Sequence, residues 1–300
     1  MCEQLERQLF EARVLAVFDN ACDLVTSDRD VIALVSPRIG DGPLNIVVDV
    51  EPGDFTTLKL ETTASLGSLQ RRRSEESLSH KAETLRRSTA QSNRLPHLQI
   101  GDLQVLLDEA TVWEPRPDWD ALRTRCTSIR SNLALLHAIA LHHAPLESLL
   151  NPKPTEKSTN CAILTTVRQA AVALRAGWDG DMAQLHKGVK QLAGLGTGLT
   201  PTGDDFLVGV MVWARLAHPT PDVFCETIVE TAVPRTTTLS AAFLRFAAKG
   251  ECSAAWHQLL AALATGSMGE LDAATRQILA HGATSGADAL AGFLWMNAAD

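Results

Sequence analysis

The chain has 300 residues, 45% of them hydrophobic, which is enough apolar material for one large domain or two. Its formal net charge is -8, with no long basic tract outside one short segment, and this argues against nucleic acid as its main partner. The six cysteines are scattered with no Cys-x-x-Cys pair, which argues against a zinc ribbon or a dithiol redox motif. Reduced thiols, a charged N-terminal stretch and no run near the roughly 20 apolar residues of a membrane span make a cytoplasmic protein the expectation, with no membrane partner.

From Arg13 to Val50, short runs rich in Val, Ile and Leu alternate with Asp, Ser, Pro and Gly clusters. This predicts strands at Val14 to Phe18, Val31 to Val35 and Leu44 to Val50. Further strands are expected at Phe55 to Leu60, Leu98 to Ile100 and Leu103 to Leu107. The polar segment between them, residues 61–95 with its Arg71-Arg72-Arg73 and Arg86-Arg87 clusters, reads as a solvated, mobile insertion. Residues 1–114 are therefore expected to form a small β domain.

Past Pro115 and Pro117 the composition turns to Ala, Leu and helix-length periods. Helices are predicted at Trp119 to His143, Cys161 to Ala176, Asp181 to Leu192, Gly203 to Ala217 and Pro221 to Ala232. Four more follow at Thr238 to Lys249, Ala254 to Ala264, Glu270 to His281 and Gly286 to Ala298. The fold class expected is α+β, a small N-terminal β domain followed by a larger all-α domain over 115–300.

The most informative stretch runs from Gly194 to Gly209, Gly-Leu-Gly-Thr-Gly-Leu-Thr-Pro-Thr-Gly-Asp-Asp-Phe-Leu-Val-Gly. Alternating glycines suit a backbone that takes positive φ or approaches a ligand closely. Thr202 with Asp205 three residues on resembles a short capping box opening a helix that is apolar all round. A second copy, Ser285-Gly286-Ala287-Asp288-Ala289-Leu290-Ala291-Gly292, shares the pattern Ser/Thr-Gly-x-Asp-x-Leu-x-Gly. The two helices are expected to pack side by side, with Gly209 and Gly292 permitting close approach.

Gly198-x-x-x-x-Gly203 is followed by Asp204 where a phosphate-binding P-loop needs lysine, so that motif is rejected. What remains is a set of helix N-termini at Gly203, at Thr236 to Ser240 and at Ser285, each suited to an anion. Thr237 and Ser240 add hydroxyls and Arg235 adds a fixed charge. Asp205 and Asp288 have capping as their ordinary role. Asp204 has no capping position and is the candidate ligand contact, general base or Mg²⁺ contact.

With the Gly-rich Thr-Pro-Thr-Gly-Asp-Asp motif, Arg235-Thr236-Thr237-Thr238-Leu239-Ser240 and Gly282-Ala283-Thr284-Ser285-Gly286-Ala287-Asp288, the chain resembles the AllH-like family, whose namesake is a subunit of oxamate carbamoyltransferase. The resemblance implies a part in a multi-subunit enzyme of allantoin breakdown that interconverts oxalurate plus phosphate with oxamate plus carbamoyl phosphate. It implies other carbamoyltransferase subunits as partners and a small anionic substrate. The candidate catalytic residues are Asp204 and Asp205. The candidate substrate-binding residues are Gly196, Gly198, Thr200, Thr202, Gly203, Arg235, Thr237, Ser240, Thr284, Ser285, Gly286 and Asp288. Two other readings stay open, a stand-alone Mg²⁺-dependent hydrolase with paired aspartates and a noncatalytic assembly subunit.

Overall fold

A computed structural model describes residues 11–50, 53–70, 94–150 and 159–295. The chain is α+β and divides into two compact units, one of residues 1–38 and 44–113, the other of 39–43 and 114–300.

The first unit is a seven-stranded sheet in the order β4-β3-β2-β1-β5-β6-β7. The strands are β1 (Glu11–Phe18), β2 (Ala21–Thr26), β3 (Val31–Val35), β4 (Asn45–Val47), β5 (Thr63–Gln70), β6 (Arg94–Ile100) and β7 (Leu103–Leu106). All neighbours are antiparallel except β3 and β4. Asp19-Asn20 closes the β1–β2 hairpin, pairing Phe18 with Ala21, and a bulge lies between Val14 and Ala16. Val14, Leu24, Ile32, Leu34, Phe55, Leu98 and Ile100 meet in one apolar core.

Three details differ from the sequence reading. Strand β2 was not expected because Asp23 interrupts its apolar run, yet the whole strand is buried but for its last residue. The segment Phe55 to Leu60 is not a strand: Gly53, at φ 95, turns it into a 3-10 helix over Asp54–Thr57, with Phe55 plugged into the core and the Thr56 hydroxyl returning to the Gly53 carbonyl. Residues 63–70, expected to be part of a solvated insertion, are strand β5 and pair with both β1 and β6. The remainder of that insertion, 71–93, lies outside the described residues.

The second unit is helical. Its helices are α1 (Trp119–Thr124), α2 (Cys126–His143), α3 (Thr159–Trp178), α4 (Met182–Leu192), α5 (Thr202–Ala217), α6 (Pro221–Ala232), α7 (Thr238–Ala248), α8 (Ala254–Thr265), α9 (Met268–Leu279) and α10 (Ser285–Trp295). The single helix expected over Trp119 to His143 breaks at Arg125, where ψ rises to 10°. Asp118 caps α1 by accepting the Ala121 N–H, and Asp181 caps α4 through Gln184 in the same way.

Helices α5 and α10 form the centre, α5 being buried along nearly its whole length and α10 from Gly286 to Phe293. Their contact is set by glycine. A methyl group on Gly209 would fall on the Ala289 carbonyl oxygen, and one on Gly292 would fall on the Phe206 carbonyl oxygen. Only hydrogen fits at either position, so the two backbones touch, and Trp213 packs edge-on against Phe293 further along the pair.

Candidate functional site

The site is built by two copies of one helix–turn–helix arrangement. In the first, the Leu195 N–H donates to the Leu192 carbonyl at the end of α4, and the Gly203 N–H donates to the Leu195 carbonyl, 2.8 Å in both cases. In the second, the His281 N–H donates to Ile278 of α9, and the Gly286 N–H donates to His281 at 3.0 Å. Gly203 and Gly286 each lie against the last turn of the preceding helix, on Leu192 and Ile278 respectively. The internal repeat read in the sequence is thus a structural repeat with the same backbone bonds. The first connection is longer, and the additional length carries Gly196 and Gly198, both at positive φ.

Three helix N-termini meet here, and hydroxyl groups join them. The Thr237 hydroxyl donates to the Leu199 carbonyl of the Gly-rich loop and accepts the Ser240 N–H, so it caps α7 and ties α7 to the loop. The Thr200 and Ser285 hydroxyls are 2.8 Å apart, joining the loop to α10. The Thr236 hydroxyl donates to Asp204 of α5.

Asp204 is 1% exposed and is fully engaged. Its carboxylate accepts the Gly194 N–H at 3.0 Å and the Thr236 hydroxyl on its two oxygens, and the Ser240 hydroxyl lies close enough to favour its charged form. Burial raises its pKa and those three donors oppose the rise. The sequence left Asp204 without a structural partner; the tertiary structure supplies partners from α7 and from Gly194, so Asp204 fastens the loop to two helices.

Asp205 and Asp288 do not cap their helices in the expected way. The Asp204 and Asp205 N–H groups both return to the Pro201 carbonyl, so no capping box forms at Thr202. The side chains instead exchange neighbours across the repeat, the Ser285 hydroxyl of α10 lying close enough to Asp205 of α5, and the Thr202 hydroxyl of α5 close enough to Asp288 of α10, to favour the charged form of each. The Thr200 hydroxyl also lies beside Asp205, while Asp288 has Thr284 as a further neighbour and accepts the N–H of Leu149 at 2.7 Å.

Even so, one oxygen of each carboxylate, Oδ2 in both, is buried with no hydrogen-bond partner. Burial pushes Asp205 up to about 8, with the charges of Asp288 and Asp204 adding to the rise and the Ser285 and Thr200 hydroxyls opposing it. Burial likewise lifts Asp288 to about 6 against the Leu149 N–H bond and the nearby Thr284 and Thr202 hydroxyls. Among the described residues no lysine or arginine forms an ion pair with any of the three aspartates. Two incompletely satisfied carboxylates in an apolar helix pair cost stability, the pattern of a site kept for chemistry.

Most of the residues singled out from sequence come together, namely Gly196, Thr200, Thr202, Gly203, Asp204, Asp205, Thr237, Ser240, Thr284, Ser285, Gly286 and Asp288. Gly198 is in the same loop and exposed. Arg235 differs from expectation: its side chain is exposed and its guanidinium donates to the Thr231 carbonyl of its own turn, while its main-chain carbonyl packs against Gly194. It reaches the loop through its backbone. Leu149, whose amide holds Asp288, was missed, because nothing local in Pro145 to Leu150 marks a contact with a helix that begins at Ser285.

No group of three or more His, Cys, Asp or Glu side chains placed to hold a metal occurs among the described residues. No helix among them is long and apolar enough to cross a membrane.

A family model described as oxamate carbamoyltransferase subunit AllH matches residues 192–296, the stretch that contains both copies of the motif. A second, described as the AllH family N-terminal domain, matches residues 1–81. Neither a search of curated proteins nor one of solved structures gave a significant match. Two matches that cover most of the chain, one on each side of the junction between its units, make it a member of the AllH family, the family of the oxamate carbamoyltransferase subunit AllH.

Proposed function

We propose that this chain is a subunit of a carbamoyltransferase and takes a small anionic substrate, of the carbamoyl phosphate, oxamate or oxalurate type, where the N-termini of α5, α7 and α10 converge. The observation that carries this reading is the bonding of three helix starts to one Gly-rich loop by Thr236, Thr237, Thr200 and Ser285. Each helix start offers amide groups and the positive end of its dipole, and the hydroxyls add donors that need no counter-charge. An acyl transfer places negative charge on oxygen as the carbamoyl group leaves phosphate, and fixed donors of this kind stabilise it. The family match on 192–296 supports the assignment, since it falls on these residues. The rest of the enzyme comes from other subunits.

Thermal unfolding of the purified chain with carbamoyl phosphate, phosphate, oxamate and oxalurate tests the reading. A ligand of the folded state raises stability by about 2.7 kcal/mol at a hundred times its Kd. Stabilisation by at least one of these anions, reduced in Ser285→Ala, is the expected result. Failure of every anion, alone and with the partner subunits, would overturn it.

The reciprocal hydroxyl exchange and the glycine contact also suit a second reading, in which the chain is an assembly subunit and the motif only packs two helices. That reading requires Ser285→Ala to leave the activity of the assembled enzyme unchanged.

A further inference from the structure

We propose that Asp205 and Asp288 together hold one divalent cation between the first turns of α5 and α10, with the Thr200 and Ser285 hydroxyls as neighbouring oxygen donors. Both carboxylates are buried, at 9% and 0% exposure, and each has one oxygen, Oδ2, without a hydrogen-bond partner. The two residues immediately precede Phe206 and Ala289, whose carbonyls form the glycine contacts, so each lies one residue from the place where the helices touch. Asp288 lies near enough to act on Asp205 through its charge, and Ser285, whose hydroxyl is 2.8 Å from that of Thr200, lies beside Asp205 as well.

A buried carboxyl oxygen without a partner is satisfied by a proton or by a counter-charge, and no lysine or arginine among the described residues pairs with these two. The donors are all oxygen, the preference of a hard cation such as Mg²⁺. Such an ion is commonly held by one or two carboxylates and completes its shell with water and substrate oxygens, so a pair of carboxylates with no third such ligand among the described residues fits it. Asp204, the cation contact expected from the sequence, accepts from Gly194 and Thr236 on its two oxygens and so lacks the bare oxygen that Asp205 and Asp288 each have.

The inference deepens the substrate reading, resting on the same site: a cation there offsets the repulsion between the carboxylates and an anion. It is tested separately, by titrating the purified full chain with Mn²⁺ under electron paramagnetic resonance and with Mg²⁺ in calorimetry, with and without carbamoyl phosphate or oxamate. One Mn²⁺ per chain, displaced by Mg²⁺, is expected, with affinity reduced at least about tenfold in Asp205→Asn and in Asp288→Asn. Ser285→Ala and Thr200→Val, which leave the carboxylates in place, are expected to weaken Mn²⁺ more modestly and provide the readout if an Asn variant does not fold.

Absence of Mn²⁺ binding at millimolar concentration in every condition overturns the proposal, as does undiminished binding in the Asp205→Asn, Asp288→Asn double variant. Anion binding with no Mn²⁺ bound in any condition overturns it while leaving the substrate reading standing. Mn²⁺ binding lost in the Asn variants, with no anion bound in any state, upholds the cation site and removes the substrate reading.

Discussion

Thr202 on α5 sets its hydroxyl beside Asp288 on α10, close enough to favour that carboxylate's charged form, and Ser285, the residue equivalent to Thr202 in the second copy, does the same for Asp205, the equivalent of Asp288. The exchange explains why both N-termini carry Ser or Thr three residues before Asp without forming a capping box. Each hydroxyl is used across the helix pair, and the two helices are fastened at their polar ends as well as at Gly209 and Gly292.

Removing one arm of the exchange leaves a buried carboxylate short of a donor. Hydrogen bonds to charged groups contribute about 1.5–3 kcal/mol, so Thr202→Val is expected to lower stability by about 2 kcal/mol. Urea unfolding of wild type and variant measures it, and an unchanged midpoint would deny the exchange any energetic role.

Gly209→Ala and Gly292→Ala each place a methyl group on a backbone carbonyl of the facing helix. Backbone cannot rotate aside as a side chain can, so each variant is expected to lose about 3 kcal/mol or to fail to fold, at the upper end of overpacking costs. Gly198→Ala is the control for the loop, since nothing lies within 4 Å of its added carbon, although its φ of 91° still strains an alanine. A Gly209→Ala variant as stable as wild type would contradict the close helix contact.

Asp204→Ala deprives the Gly194 N–H and the Thr236 hydroxyl of their acceptor. Unsatisfied buried donors cost about 1–3 kcal/mol each, and the Gly-rich loop is expected to loosen before the helices do. Amide hydrogen exchange is the appropriate probe. Faster exchange at residues 194–200 with little change in α5 is the predicted pattern.

Asp23, on the buried strand β2, gives the first unit a pH dependence. Burial lifts its pKa from 3.8 to about 6. The folded state therefore holds this proton more tightly than the unfolded chain, and stability from this group falls as pH rises from about 4 to about 6, then stays level. The shift corresponds to a cost of about 3 kcal/mol above pH 6. Asp23→Asn should be stabilised relative to wild type at pH 7.5 and lose that advantage at pH 4, as read by urea unfolding at the two pH values.

Cys22 and Cys225 are buried, and both thiols are pushed up to about 12, chiefly by that burial. Cys126 is only half-buried. In a thiol-reagent time course Cys126 is expected to react ahead of Cys22 and Cys225, which wait for unfolding. Early labelling of Cys225 in the native protein would count against the packing of α6.

Much of the helical unit was legible because its signals are local. Pro221 at the start of α6, Asp181 before α4 and the all-round apolar runs of α5 and α10 fix helices whatever surrounds them. The repeat was legible too, since one octapeptide pattern carries both the glycines of the contact and the polar residues of the ends. Strand β2 and the 3-10 turn at Phe55 were not. A strand buried on both faces loses its alternation, and Asp23 conceals the remaining apolar pattern; a lone Phe that plugs a core has no period at all.

The sequence by itself determined the α+β class, the position of most helices, the paired motif and the set of polar residues that gather at it. It could not determine what each aspartate does. Asp204 and Asp205 are neighbours in the chain, yet α7 and Gly194 take both oxygens of the first, while α10 leaves one oxygen of the second bare. Which oxygen finds a donor depends on side chains far along the chain, at Thr236 for Asp204 and at Ser285 for Asp205, and only the tertiary packing of α5, α7 and α10 brings those within reach.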